Sequence, residues 1–182
     1  MTTPVIGLPA QFNFVKVPLN VETEFEMNEE TEEWVKTILL EMNENASEKT
    51  PEENLNESYL QISGTFEKKF TSEMNDYLLM TVRIQTEYNT ECVRTLKPMT
   101  ENMDWEFKIC FISETLAKTE MFAEIDETFL DGSIYEIYFY DKKTAMLQEM
   151  IHEQIYLNYN QYPVLDAESK ILTPQEEEST KQ

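Results

Sequence analysis

Three segments of the chain alternate apolar and polar residues, which is the pattern of a β-strand with one buried and one solvated face. They cover residues 59–66, 77–88 and 104–112. Further strands are predicted for residues 12–19 and 134–140, and residues 21–25 read as extended chain with acids pointing outward. One-sided alternation is typical of antiparallel sheets, so the chain is predicted to build one.

Two other segments have helical spacing. The first predicted helix begins near Asn28, a good N-cap, where Glu29 and Glu30 suit the positive end of the helix dipole. Its apolar stripe is Trp34, Val35, Ile38, Leu39 and Met42. The second predicted helix is capped by Asp141 and ends before Pro163. Its apolar face is Met146, Leu147, Met150, Ile151 and Ile155. The prediction is an α+β fold with two main helices and an antiparallel sheet that could close into a barrel.

The remaining segments read as loops and a tail. Residues 43–58 are polar and carry Pro51, which predicts an acidic loop inside a single domain spanning residues 1–165. Residues 113–133 read as irregular, with Asp131-Gly132 as a turn. The acidic residues 166–182 are predicted to be a disordered tail.

The net charge narrows the range of partners. Fourteen basic residues face 36 acidic ones, a formal charge of −22. Non-specific binding to DNA or to anionic membranes is disfavoured, because both require clustered lysine and arginine. Residues 22–57 alone carry thirteen acids against two lysines. This density has two interpretations: a solvated surface that keeps the protein soluble, or an acidic surface that captures a basic protein.

Candidate chemistry is sparse. His152 is the single histidine, so a multi-histidine metal site is excluded, and the three glycines build no phosphate-binding loop. Cys92 and Cys110 have no paired spacing, which fits a reducing cytoplasm. Cys110 falls on the polar phase of its strand, so partial exposure is expected. No secretory signal or membrane span is apparent, and no enzyme, cofactor or metal is predicted.

The turn at Cys92 is the most distinctive motif. Two basic residues, Arg94 and Lys97, lie within it in a chain that has few. They could pair with Glu91 or Glu101, or they could contact RNA or an acidic patch on a partner.

This motif, with others in the same order, resembles the YceD family of large ribosomal RNA subunit accumulation proteins. The family turn has the pattern Cys-x-Arg-Cys-Leu, which Cys92, Arg94 and Leu96 resemble, with Thr95 in place of the second cysteine. Other matching positions are Ile62 to Thr65, Asp141, Glu153, Ile155, Leu157 and Pro163-Val164. Asn160 stands where the family often has a proline. The resemblance covers roughly residues 59–166, and more loosely the N-terminal third.

The resemblance implies a cytoplasmic or organellar factor that supports accumulation of large-subunit rRNA. A non-enzymatic escort for a basic ribosomal protein, or a factor bound to a pre-large-subunit particle, is therefore expected in the cytoplasm. Direct contact with RNA is left open. The candidate interaction residues are Cys92, Arg94, Lys97, Glu149, Glu153, Glu29, Glu30 and Glu33. The alternative is an acidic protein that mimics nucleic acid and inhibits a DNA- or RNA-binding enzyme.

Overall fold

The computed structural model describes residues 6–44 and 58–165, which form an α+β fold. The strands are β1 Gln11–Asn13, β2 Thr23–Asn28, β3 Tyr59–Thr71, β4 Asn75–Glu91, β5 Pro98–Ser113, β6 Glu127–Leu130, β7 Ser133–Tyr140 and β8 Thr144–Met146. The helices are α1 Glu33–Met42 and α2 Leu147–Asn158, with a short 3-10 helix at Glu114–Lys118. Neither α1 nor α2 is long and apolar enough to cross a membrane, and no other described helix is.

Six strands form the main sheet in the order β2-β3-β4-β5-β7-β6. Neighbouring strands are antiparallel except β5 and β7, which pair in parallel over Ile109–Ser113. The predicted antiparallel sheet is therefore confirmed in most of its pairings. The suggestion of a barrel is wrong, because β2 and β6 end the sheet and do not pair with each other. β1 and β8 form a separate two-stranded sheet.

The main hydrophobic core lies between one face of this sheet, the inner face, and the two helices. The apolar stripe of α1 is buried as predicted, and so are four of the five residues predicted for the α2 face, namely Leu147, Met150, Ile151 and Ile155. The fifth, Met146, is half-buried and belongs to β8, and Gln154 is buried on this face without having been predicted. The inner-face residues of β3 and β4 that the alternation identified are also buried. On the far side of the core, Phe14 of the segment after β1 packs edge-on against Tyr140, with ring centroids 4.9 Å apart.

A second, smaller core covers part of the opposite face of the sheet, the outer face. Its buried members are Met74, Tyr77, Leu79, Cys110, Ile112, Leu116, Phe122 and Tyr135. The expectation that Cys110 is partly exposed is therefore wrong: the side chain is fully buried, and this burial raises the pKa of its thiol to about 12. The reason is tertiary, because Met74, Leu116 of the 3-10 helix and Phe122 pack over the polar phase of β5.

Both predicted helix caps are wrong by several residues. The Asn28 side chain accepts hydrogen bonds from the backbone N–H groups of Glu30 and Thr31, so it closes a turn before the helix. The helix itself begins at Glu33. Asp141 likewise lies in a turn, where its C=O accepts the Thr144 N–H, and the unpredicted strand β8 precedes α2.

The other predicted elements and loops agree with the structure to different degrees. The strand predicted at residues 12–19 is limited to Gln11–Asn13, and a turn follows it. The Asp131-Gly132 turn is confirmed, with φ of 49° and 82°, but the 3-10 helix and β6 occupy much of residues 113–133. At the start of the predicted acidic loop, buried Asn43 donates to Ser58 and accepts the Asn89 N–H. Residues 45–57 and the tail 166–182 lie outside the described residues.

Gly64 lies at a point where β3 has no room for a side chain beside β4. Its φ is +156°, and a Cβ at this position would lie 1.9 Å from the Thr81 carbonyl oxygen and 3.2 Å from the Phe25 ring. The nearest atom belongs to the backbone, so a side-chain rotation cannot relieve the contact. Any larger residue must displace the strand pairing itself.

We expect Gly64→Ala to lower the free energy of unfolding by about 1–3 kcal/mol, the usual cost of overpacking or backbone strain. Ser63→Ala is the matched control, because Ser63 is the adjacent residue on the outer face, and its effect should stay within about 0.5 kcal/mol. Urea denaturation of both variants measures the difference. Equal stability of the two variants would contradict the close approach at Gly64.

Candidate functional site

The Cys92 turn connects β4 to β5, as its position between two predicted strands indicated. The Cys92 N–H donates to the Lys97 C=O, and the Leu96 N–H donates to the Cys92 C=O, both at 2.9 Å. Leu96 has a positive φ of 57°, so it takes the left-handed position of the turn. Arg94 and Lys97 are exposed at this end of the hairpin.

The segment after α2 docks onto this turn. The Val93 N–H donates to the Pro163 C=O at 2.9 Å, and the rings of Tyr88 and Tyr159 stack with centroids 5.0 Å apart. A cavity of about 290 Å³ lies between the two segments. Two motifs that are about 70 residues apart in the sequence are therefore neighbours in the fold.

The Cys92 thiol is buried within the turn and is held by hydrogen bonds. The Thr95 hydroxyl is the main cause that lowers its pKa, followed by the backbone N–H of Leu165. Hydrogen bonds to the thiolate favour the charged form, so Thr95 stabilises a thiolate at the position where a second thiol was expected. Among residues 6–44 and 58–165, no group of three or more histidines, cysteines or carboxylates is placed to hold a metal ion.

The candidate acids lie in separate places. Glu29 is half-buried and accepts the Leu60 N–H at 3.0 Å, so it ties the turn before α1 to β3. Glu30 and Glu33 are exposed beside it, and Glu149 and Glu153 are exposed on α2. The structure therefore does not join these residues and the Cys92 turn into one site.

Glu153 has acidic neighbours of its own on the β7 side of α2. It lines a cleft of about 440 Å³ together with Asp126, Glu127 and Glu136, and the exposed Leu157 lies at the same cleft. This grouping could not be predicted from the sequence, because its members come from the residue before β6, from β6 and β7, and from α2.

His152 joins the two helices. Its Nε2 lies 2.7 Å from Glu41 Oε2, at the rim of an apolar cleft of about 340 Å³ between α1 and α2. Both side chains are about half exposed, and the described residues that line the cleft include no serine, threonine, cysteine or lysine. The contact positions one helix against the other.

A further charged surface is the outer face of β2 to β5. Its outward-pointing acids are Glu24, Glu26, Glu67, Glu87, Glu91, Asp104 and Glu106. Its basic residues are Lys69, Arg83 and Lys108, and each is engaged: Lys69 with Asp131, Arg83 with Asp104, and Lys108 with Ser133. The sequence pointed to the outward acids of β2 but did not predict this face as a whole.

The strand register sets the spacing of these acids. Glu26, Ser63, Arg83 and Glu106 lie side by side across four strands. Because adjacent strands are about 4.8 Å apart, the two acids at the ends of this row are separated by about 14 Å. Arg83 forms a two-pronged ion pair with Asp104 at 2.9 and 2.8 Å, which lowers the pKa of Asp104. Glu24, Glu26 and Glu106 stay exposed around this pair.

Comparisons of the chain with models of protein families, with curated proteins and with solved structures give no match.

We expect Thr95→Val to raise the pKa of the Cys92 thiol, because it removes the hydroxyl that donates to sulfur. The thiolate ultraviolet absorbance follows this titration, and Cys110 does not interfere because its pKa is about 12. Thr100→Val, an exposed threonine on β5, is the control.

The shift also predicts how stability depends on pH. Since folding lowers this pKa, the thiolate stabilises the fold above the unfolded value of about 8.5, and the gain is lost as pH falls through the folded pKa. Urea denaturation across this range should show a smaller pH-dependent gain for Thr95→Val than for the wild type. Identical thiolate titrations of the two proteins would refute the role of Thr95.

Proposed function

We propose that this protein is a non-enzymatic assembly factor of the large ribosomal subunit that binds a basic ribosomal protein, or a pre-large-subunit particle, through its acidic outer face. The observation that carries the proposal is the set of exposed acids on β2 and β5, for which the three bases on that face offer little compensation. The resemblance of the Cys92 turn and the α2 segment to the YceD family supplies the ribosomal context.

The charge suits an escort. A formal charge of −22 repels nucleic acid and attracts cationic proteins, and it speeds their encounter at low salt. A ribosomal protein covered in this way would be shielded from non-specific RNA contact until it is handed over. The proposed site of action is the cytoplasm.

Direct contact with rRNA is not required by this mechanism. If such a contact forms, Arg94 and Lys97 are the exposed basic groups of the Cys92 turn that could supply it. Their position at one end of the long β4–β5 hairpin lies away from the row of Glu26 and Glu106.

A second candidate function is mimicry of nucleic acid. The observation that favours it is the placement of acids on rigid strands, where Glu24 and Glu26 are two residues, or about 6.7 Å, apart on one face. A mimic would inhibit one DNA- or RNA-binding enzyme and would be displaced from it by competing nucleic acid.

Capture from a native lysate at low salt distinguishes the two functions, provided that both protein and RNA in the eluate are identified. Large-subunit proteins or pre-ribosomal particles that are released at high salt would support the assembly factor. A single DNA- or RNA-processing enzyme without ribosomal material, displaced by DNA, would support mimicry and contradict the assembly role.

We expect the combined change Glu24→Gln, Glu26→Gln and Glu106→Gln to weaken binding of the captured ribosomal protein about tenfold, if each acid contributes roughly 0.5 kcal/mol. The salt dependence of the affinity should decrease with it. The control carries Glu114→Gln, Glu120→Gln and Glu124→Gln, exposed acids elsewhere, and has the same net charge. Equal weakening in both variants would show that net charge acts without the outer face.

A further inference from the structure

The first ten or so residues of β5 form an open sheet edge. β4 pairs with β5 along nearly its whole length, but β7 joins it only from Ile109 onward. Within the described part of the chain, residues 98–108 of β5 therefore have a neighbouring strand on one side only. We call this segment the open edge.

The hydrogen bonds between β4 and β5 determine which backbone groups of the open edge point away from the sheet. The hydrogen bond from the Cys92 N–H to the Lys97 C=O fixes the alternation, so the odd-numbered residues of the open edge bond to β4. The N–H and C=O groups of Thr100, Asn102, Asp104 and Glu106 then point away from the sheet. No hydrogen bond from the described residues reaches these groups.

The open edge carries charged side chains, but it lacks two other usual protections of an exposed strand. It contains no proline after Pro98, and its register with β4 runs without a bulge. Its inner-face side chains Met103, Trp105 and Phe107 are half-buried and apolar. Beside its end, the cross-strand pair Phe129 and Ile134 is 71% and 61% exposed. Extended apolar surface next to unpaired backbone is what an added strand would cover.

Trp105 supplies an independent observation. Its indole Nε1–H is buried and has no hydrogen-bond partner among the described residues. Such donors are rare in folded proteins, because leaving one without an acceptor is costly. Trp105 lies within the open edge, so this unpaired donor belongs to the strand whose second neighbour is missing among the described residues.

We propose that the open edge binds an extended, basic segment of the partner protein by β-strand addition. The partner class rests on the proposed function, whereas the docking mode rests on β5 itself. Alternation along β5 sets the pattern of the bound segment. Its apolar side chains would lie beside Trp105 and Phe107 on the inner face, and its lysines or arginines beside Asp104 and Glu106 on the outer face.

Charge selects this occupant over a second copy of the chain. Glu106 is exposed on the outer face and forms no ion pair with the described residues, whereas Asp104 beside it is paired with Arg83 through both carboxylate oxygens. A second copy would bring another −22 to the same edge. A basic segment would form the backbone hydrogen bonds of an added strand and would also be attracted by the opposite charge. A second copy would form the same hydrogen bonds but would be repelled by its like charge.

The test uses the full chain and a synthetic peptide of about ten residues that alternates lysine and valine, matched by a glutamate–valine peptide of the same length. We expect the lysine peptide to bind and to slow amide hydrogen exchange at Thr100, Asn102, Asp104 and Glu106. Asn102→Pro removes one outward N–H, and an edge strand tolerates it. It should weaken binding at least tenfold, while Asn102→Ala, which keeps the N–H, should bind as the wild type does.

The outcomes separate this inference from the proposed function. Binding without slowed exchange at the four amides, or equal binding by Asn102→Pro and Asn102→Ala, overturns the edge inference even if ribosomal proteins are still captured. Protection at these amides without any capture of ribosomal material supports the edge and contradicts the proposed function. A concentration-dependent dimer of the wild type that Asn102→Pro abolishes would assign the edge to a second copy. The exchange measurement needs no variant, so a poorly folded Asn102→Pro does not prevent the test.

Discussion

The pairing of β4 on both sides is the constraint on which the rest of this structure depends. Thirteen of its residues face partners on β3 and fourteen face partners on β5. A strand bonded on both edges cannot slip by one residue, because the slip would turn all of its own side chains to the opposite face. Leu78, Met80, Val82 and Ile84 are thereby fixed under the helices, and Arg83 is fixed on the outer face. The close approach at Gly64 holds β3 in the same register.

Alternation and helical spacing in the sequence predicted the parts that repeat locally. The inner-face residues of β3 and β4 and the stripe of α1 are buried because each follows the period of its own element. The Cys92 turn was recognisable because its residues stand between two alternating segments. Closure of the sheet carries no such local pattern, which is why the expected barrel was wrong. Whether the last strands return to β2 depends on the parallel pairing of β7 with β5.

The remaining errors share a physical cause, which is that distant segments decide them. Asn28 and Asp141 have side chains that suit helix caps, but each lies in a turn before its helix. Cys110 is on the polar phase of β5, and it is buried because the chain returns to cover that face. Predicting the outer face would also have required knowledge of distant pairings. Glu26 and Glu106 are 80 positions apart in the sequence, and they share a row only through the register of three strand pairs.

Acidity and an open strand edge on the same sheet are mutually consistent. A long edge with apolar neighbours and no bulge invites pairing between identical chains, which is a route to aggregation. A charge of −22 opposes that encounter between copies, and it favours the encounter with a cationic segment. On this argument the acids of β5 do more than keep the protein soluble, because they determine which strand can complete the sheet. The same acidic residues that keep two copies apart would hold a basic partner in register beside Trp105.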